Sequence, residues 1–154
     1  VSIQNMSANS IRIPALSVTA SIGTASVRDG VLTPPRVPDQ VGAWDGSAAL
    51  DSPTGEVTLA GHVNWAGMAP FAFARLASLR PGDIVYTTDA RTQQTAWRVT
   101  RVLARPKNQS VDPAAFAGTA GPRTLALITC GGSYSTTDAS YEANVYVYAQ
   151  PTTA

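Results

Sequence analysis

Two stretches of this chain are apolar at nearly every position, and each stops at a chemically distinctive residue. Thr124-Leu-Ala-Leu-Ile-Thr-Cys130 ends in the only cysteine and is followed by Gly131 and Gly132, while Val57-Thr-Leu-Ala-Gly-His62 ends in the only histidine. Short apolar runs of this kind, rich in Leu and Ile and adjoining glycine, read as buried strands. Residues 11–22 alternate apolar and small polar positions around Pro14, which suits an edge strand, because proline cannot donate to a ladder. The pair Asp29-Gly30 reads as a turn, and Pro34, Pro35 and Pro38 impose an extended passage into Val41-Gly-Ala-Trp44. Residues 70–78 begin with proline and fit a short helix. Strands follow over 84–87 and 96–103, where Trp97, Val99 and Leu103 share one face and Arg98 lies opposite. Residues 105–122 read as a long surface loop, residues 133–140 as a polar loop, and residues 141–149 as a final strand. Residues 1–10 carry no pattern and read as a flexible arm. The sum is an all-β chain, a single domain over residues 1–154, built as a closed β-barrel of about eight strands with one or two short helices.

Composition narrows the function without changing that picture. Hydrophobic residues make up 44% of the 154 and charged ones 14%, the balance of a packed domain and the reverse of a disordered one. The net charge is +1 with no basic block, so nucleic acid is not expected as a partner. No apolar run reaches the roughly 18–20 residues that span a bilayer. A single cysteine excludes an internal disulfide and any cysteine-rich zinc site.

The candidate chemistry lies in the two terminal residues. A thiol and an imidazole are the pair from which a cysteine nucleophile is made. A free cysteine is also a common buried packing residue, and a lone histidine is commonly structural. Three features favour chemistry: both residues close a strand, glycine adjoins each (Gly61, Gly131, Gly132), and a long loop precedes the cysteine strand. The glycines would leave room for another chain's backbone to approach. One His and one Cys supply two metal ligands at most, so no metal site is expected. Nucleotide-binding glycine motifs and Gly-x-Ser-x-Gly are absent from the sequence.

Thr58-Leu-Ala-Gly-His62 and Thr124-Leu-Ala-Leu-Ile-Thr-Cys130 resemble the two signature strands of the sortases, extracellular cysteine transpeptidases of Gram-positive bacteria. Val41-Gly-Ala-Trp44, Leu79-Arg-Pro-Gly-Asp-Ile-Val85, Pro106-Lys107, Cys-Gly-Gly at 130–132 and Asn144-Val-Tyr-Val-Tyr-Ala149 are similar to the class F group of actinobacteria. The resemblance runs over residues 11–151. It implies a sortase-type barrel, a sorting-signal peptide of the Leu-Pro-x-Thr-Gly type as substrate, and an amine acceptor such as a peptidoglycan precursor. Cys130 would be the nucleophile and His62 the proton carrier, with Gly131, Gly132, Arg105 and Lys107 at the substrate. No cofactor is implied, and no acidic cluster supports calcium. Family members usually hold to the outer face of the cytoplasmic membrane through an N-terminal helix, so such an anchor is expected ahead of Val1.

One residue departs from the pattern. Sortases carry an arginine on the strand after the cysteine, yet no arginine follows Cys130 here. Asn144 occupies the corresponding position, with Glu142 two residues earlier on the same face. An Asn amide can donate to an oxyanion but brings no positive charge. Arg105 or Lys107 reaching in from the long loop is the second arrangement. A fold that binds sorting signals with little or no turnover is the third.

Overall fold

The computed structural model describes residues 6–28, 31–35, 37–62, 71–106, 112–130, 134–135, 140–141 and 143–153. The strands among them are β1 (Ser10–Ile13), β2 (Val18–Arg28), β3 (Val31–Thr33), β4 (Gln40–Trp44), β5 (Glu56–His62), β6 (Ile84–Thr88), β7 (Gln94–Pro106), β8 (Thr124–Cys130), β9 (Tyr134–Ser135), β10 (Ser140–Tyr141) and β11 (Ala143–Pro151). Eight of them follow the order β1-β6-β7-β11-β8-β5-β4-β2, and β2 pairs back on β1. That last pairing closes the sheet into an eight-stranded barrel, as the alternation predicted. β3 extends β2 as a hairpin outside the barrel, and among the described residues β9 pairs only with β10.

The interior is filled by Ile11, Ile13, Leu59, Trp97, Leu125, Leu127 and Val147, with Phe73 and Leu76 closing one end. A second apolar cluster lies outside the wall, where Ala126, Ile128, Tyr146 and Tyr148 are covered by Ala115 and Phe116 of the 3-10 turn Pro113–Phe116. β5 and β8 are therefore buried on both faces, the reason their sequences are continuously apolar rather than alternating. Among the described residues no helix is long and apolar enough to cross a membrane.

Local geometry corrects several expectations. The strand expected over 11–22 is a hairpin: Pro14 opens a 3-10 turn (Pro14–Leu16) and Ser17 adopts a left-handed conformation, so β2 folds back on β1. β1 is not an edge, since it pairs with β6 as well. In place of the helix expected over 70–78, residues 72–75 make turns and only Leu76–Ser78 is 3-10 among the described residues. Phe71, Phe73 and Leu76 are all buried there, and Arg75 reaches across to the Leu16 carbonyl. The arm expected over 1–10 is tied down at its described end, where Asn9 N–H donates to Asp89 O at 3.1 Å and Ser10 begins β1. Tyr141 belongs to β10 rather than to the final strand.

The most consequential difference lies on β7. Its ladder with β11 shifts by one residue between Ala149↔Val99 and Tyr148↔Arg101, leaving Thr100 as the extra residue of a bulge. Thr100 Oγ1 donates to Tyr148 O at 3.1 Å there. A bulge reverses the phase of alternation. Trp97 and Val99 face the interior, whereas Leu103 joins the outer cluster instead of sharing their face.

Candidate active site

β5 and β8 run parallel and in register from Glu56↔Thr124 to His62↔Cys130. Val57, Leu59, Leu125 and Leu127 belong to the interior, and Ala126 and Ile128 to the outer cluster. Position 62 continues the outer series of β5. The only histidine and the only cysteine therefore occupy opposed positions on neighbouring strands, roughly 4.8 Å apart at the backbone. The His62 ring is 6% exposed and packs edge-on against Phe71 at 5.8 Å between centroids.

Gly61 does not leave room for a passing backbone, as the sequence implies. A Cβ at Gly61 would lie 2.8 Å from the Phe73 ring and 3.0 Å from Val41 Cγ1, so the core fills that space. Gly131, Gly132, Lys107 and Glu142 lie outside the described residues.

On the other flank of β8, the ladder with β11 runs from Leu125↔Ala149 to Ile128↔Tyr146. Beyond it the Val145 N–H donates to the Thr129 hydroxyl at 2.7 Å. That ladder ends at Ile128↔Tyr146, and Asn144 stands on β11 beyond its end. Asn144 is in turn opposite Arg105 on β7. A group of two registered pairs, Arg105↔Asn144 and His62↔Cys130, thus occupies four adjacent strands, β7, β11, β8 and β5. Arg105 joins it from a strand rather than from a loop, because the Thr100 bulge turns residues 101, 103 and 105 outward. Asn144 Oδ1 and Arg105 Nε are both buried with no hydrogen-bond partner among the described residues.

The turn over Pro113–Phe116 covers Ala126, Ile128, Tyr146 and Tyr148 from outside. Asp112 caps it, accepting from Ala114 N–H at 3.1 Å, and receives the Tyr148 hydroxyl at 2.7 Å. Arg101 and Arg105 approach the same carboxylate at 3.6 and 3.8 Å. The Tyr148 hydrogen bond holds the Asp112 carboxyl below its ordinary range, assisted by the Ala114 amide and the two arginines against the cost of burial. Burial, and then its bond to Asp112, holds the Tyr148 phenol well above its own range. The turn is pinned at two further points: Thr58 Oγ1 donates to Ala115 O at 2.7 Å, and Ala117 N–H donates to Glu56 Oε1 at 3.0 Å. Burial raises the Glu56 pKa, and its hydrogen bonds only partly oppose it.

The sequence named Cys130, His62, Asn144 and Arg105 singly; the register pairs His62 with Cys130 and Arg105 with Asn144. It missed Asp112 and Tyr148. Asp112-Pro113 is a cap-plus-proline signal for a helical turn, legible in principle, but nothing local tells which strand the turn covers.

The matches with known proteins agree with this geometry. A family model described as "Sortase domain" matches residues 11–152. No curated protein sequence matches the chain. Among solved structures, sortase C-1 from Actinomyces oris superposes with a TM-score of 0.70 at 20% identity, covering 94% of this chain and 73% of that one. A lid mutant of sortase A from Corynebacterium diphtheriae gives 0.67 at 19% identity, over 94% of this chain and 69% of that one. Sortase C1 from Streptococcus suis gives 0.67 at 17% identity, over 96% and 73% respectively. At these identities the structures speak for the fold, and the family model, spanning nearly the whole chain, for descent. With the barrel closed, and with its only cysteine and only histidine in register, the chain belongs to the sortases, a family of cysteine transpeptidases.

Proposed function

We propose that the chain cleaves a Leu-Pro-x-Thr-Gly-type sorting signal through Cys130 and transfers the acyl part to an amine of the cell wall. The observation that carries this reading is the register His62↔Cys130 at the ends of two parallel strands. In the first half-reaction the Cys130 thiolate attacks the Thr carbonyl carbon. A C–S bond forms, the carbonyl π electrons move to oxygen, and collapse of that intermediate breaks the C–N bond. The imidazolium of His62 gives its proton to the departing amine, leaving a thioester. In the second, an amine attacks the thioester carbon, a C–N bond forms, the C–S bond breaks to return the thiolate, and His62 takes the amine's proton. Asn144 is assigned as a donor to the developing oxyanion. The amine is that of a peptidoglycan precursor, Gly131 and Gly132 let the substrate backbone approach, and Lys107 adds a contact on the same side. The enzyme is of the class F type and works at the outer face of the cytoplasmic membrane. The motifs Val41-Gly-Ala-Trp44 and Cys-Gly-Gly at 130–132 support that grouping.

The test is intact-mass detection of a thioacyl adduct on incubation with a panel of sorting-signal peptides, using hydroxylamine as acceptor. Wild type forms the adduct and releases hydroxamate; Cys130→Ala and His62→Ala do neither at a measurable rate. A wild type that binds peptide and forms no adduct across the panel would instead favour a sortase-fold binding protein. That second reading is motivated by Asn144 standing where an arginine is usual.

A further inference from the structure

We propose that Arg105, delivered by the Thr100 bulge to the outer face of β7, supplies the positive charge of the Cys130 site from two strands away. This rests on the reading of Cys130 as the nucleophile. A thiolate and the oxyanion formed on its attack are both negative, and a cationic neighbour stabilises each. Arg105 is paired with Asn144, and β11 alone separates β7 from β8, the strand that carries Cys130 opposite His62. Without the extra residue at Thr100, position 105 would keep the phase of Trp97 and Val99 and point into the barrel. Bulges recur next to active sites because they re-aim a side chain in this way.

The surroundings of Arg105 leave its charge unspent. The groups that face it are Asp112 from the covering turn, Arg101 from its own strand, and Tyr148 and Asn144 from β11. Asp112 is the one acid within ion-pair range of Arg105 and is shared with Arg101, while Glu56, which also acts on Asp112 and Tyr148, has its pKa raised by burial. The Arg105–Asp112 separation of 3.8 Å is long for an ion pair, and Asp112 already accepts the Tyr148 hydroxyl and the Ala114 amide. Arg101 is turned away, stacked 4.7 Å over the Tyr148 ring with its side chain 56% exposed. Arg105 is 28% exposed, and its Nε–H is a buried donor with no acceptor among the described residues. Such a donor is costly to keep unless a ligand meets it.

Two strand spacings are roughly 10 Å, and a unit charge at that distance in an effective dielectric of about 20 moves a pKa by about one unit. Cys130 is the only cysteine, so its alkylation by iodoacetamide as a function of pH reads the thiol without ambiguity in the full chain. Arg105→Gln is expected to raise the alkylation midpoint by about one pH unit and to lower transfer turnover about 10²-fold or more, the usual loss for one such stabilising group. Arg105→Lys is expected to keep most of the midpoint while losing turnover, since a point charge lacks the planar fork. Asn144→Ala should lower turnover with the midpoint unmoved. Asp112→Asn keeps Arg105 intact and removes its counter-charge, so the midpoint should fall. That variant decides the matter even if the Arg105 substitutions do not fold. An unchanged midpoint and turnover in Arg105→Gln, or a midpoint that stays or rises in Asp112→Asn, overturns the assignment. If wild type forms no thioacyl adduct, the transpeptidase reading has failed, and the midpoints alone still decide whether Arg105 is coupled to Cys130.

Discussion

Residue by residue, two glycines set how closely the wall near the site can be built. At Gly42 an added Cβ would lie 2.6 Å from Ala25 N and 2.7 Å from the Thr24 carbonyl carbon, both backbone atoms of the neighbouring strand. At Gly61 the nearest atoms belong to side chains, the Phe73 ring at 2.8 Å and Val41 Cγ1 at 3.0 Å. Side chains yield more cheaply than a strand pair, so Gly42→Ala should destabilise more than Gly61→Ala. We expect about 1–3 kcal/mol for Gly61→Ala, the usual range for overpacking, and more for Gly42→Ala. Gly61→Ala should in addition depress acyl transfer beyond its effect on stability, because position 61 is joined directly to His62. Urea unfolding and hydroxamate release measured on the same preparations check both statements. The reverse order of stabilities would show that the β2–β4 contact is looser than the packing at Gly42 implies.

Among the elements, the turn over Pro113–Phe116 is the least expected piece and the one with the clearest pH signature. Asp112 has a folded pKa below its ordinary value of 3.8, so its contribution is complete above that value and is lost as pH falls through the folded one. Glu56 has a folded pKa above its ordinary value of 4.5, so its contribution is complete below that value and is lost as pH rises through the folded one. Asp112→Asn is therefore expected to cost about 1–3 kcal/mol at pH 7, the scale of hydrogen bonds to a buried charge, with the deficit closing at acid pH. Glu56→Gln keeps an acceptor for the Ala117 amide and should stabilise at pH 7, the gain fading toward pH 4. Chemical denaturation of both variants across pH 3–7 measures the two slopes; slopes of the same sign would contradict these opposed directions. This element also shows where the sequence ran out. Asp112, Pro113 and Phe116 announce a capped turn, yet its burial follows from Ala126, Ile128, Tyr146 and Tyr148 presenting a second apolar face, which no local pattern pairs with residues 112–117. The bulge at Thr100 is equally illegible: one polar residue in a long alternating strand carries no mark of being extra, so alternation alone puts Leu103 on the wrong face.

For the molecule as a whole, strand existence was legible and strand pairing was not. Val57 to His62 and Thr124 to Cys130 declare themselves as doubly buried strands, but that they lie side by side, parallel and in register, is a property of closure. Closure rests on the short strand β1. It meets β2 through Ile11↔Ala20 and β6 through Ile11↔Thr87, and Ile11 and Ile13 are wholly buried inside. Opening that seam would expose the edges of β2 and β6 and wet the interior. Proline at Ile11 removes a donor, clashes with a neighbour and deletes a buried side chain at once, so Ile11→Pro should cost well over about 3 kcal/mol or abolish folding. Val27→Pro places the same residue on the stretch of β2 that pairs with β3 outside the barrel, at a side chain that is 52% exposed. It should leave one cooperative transition and an intact His62–Cys130 register, readable as undiminished acyl transfer. If thermal unfolding finds the two prolines equally tolerated, β1 does not close the barrel. If Val27→Pro is the more damaging, the β2–β3 hairpin rather than the β1 seam holds the wall together.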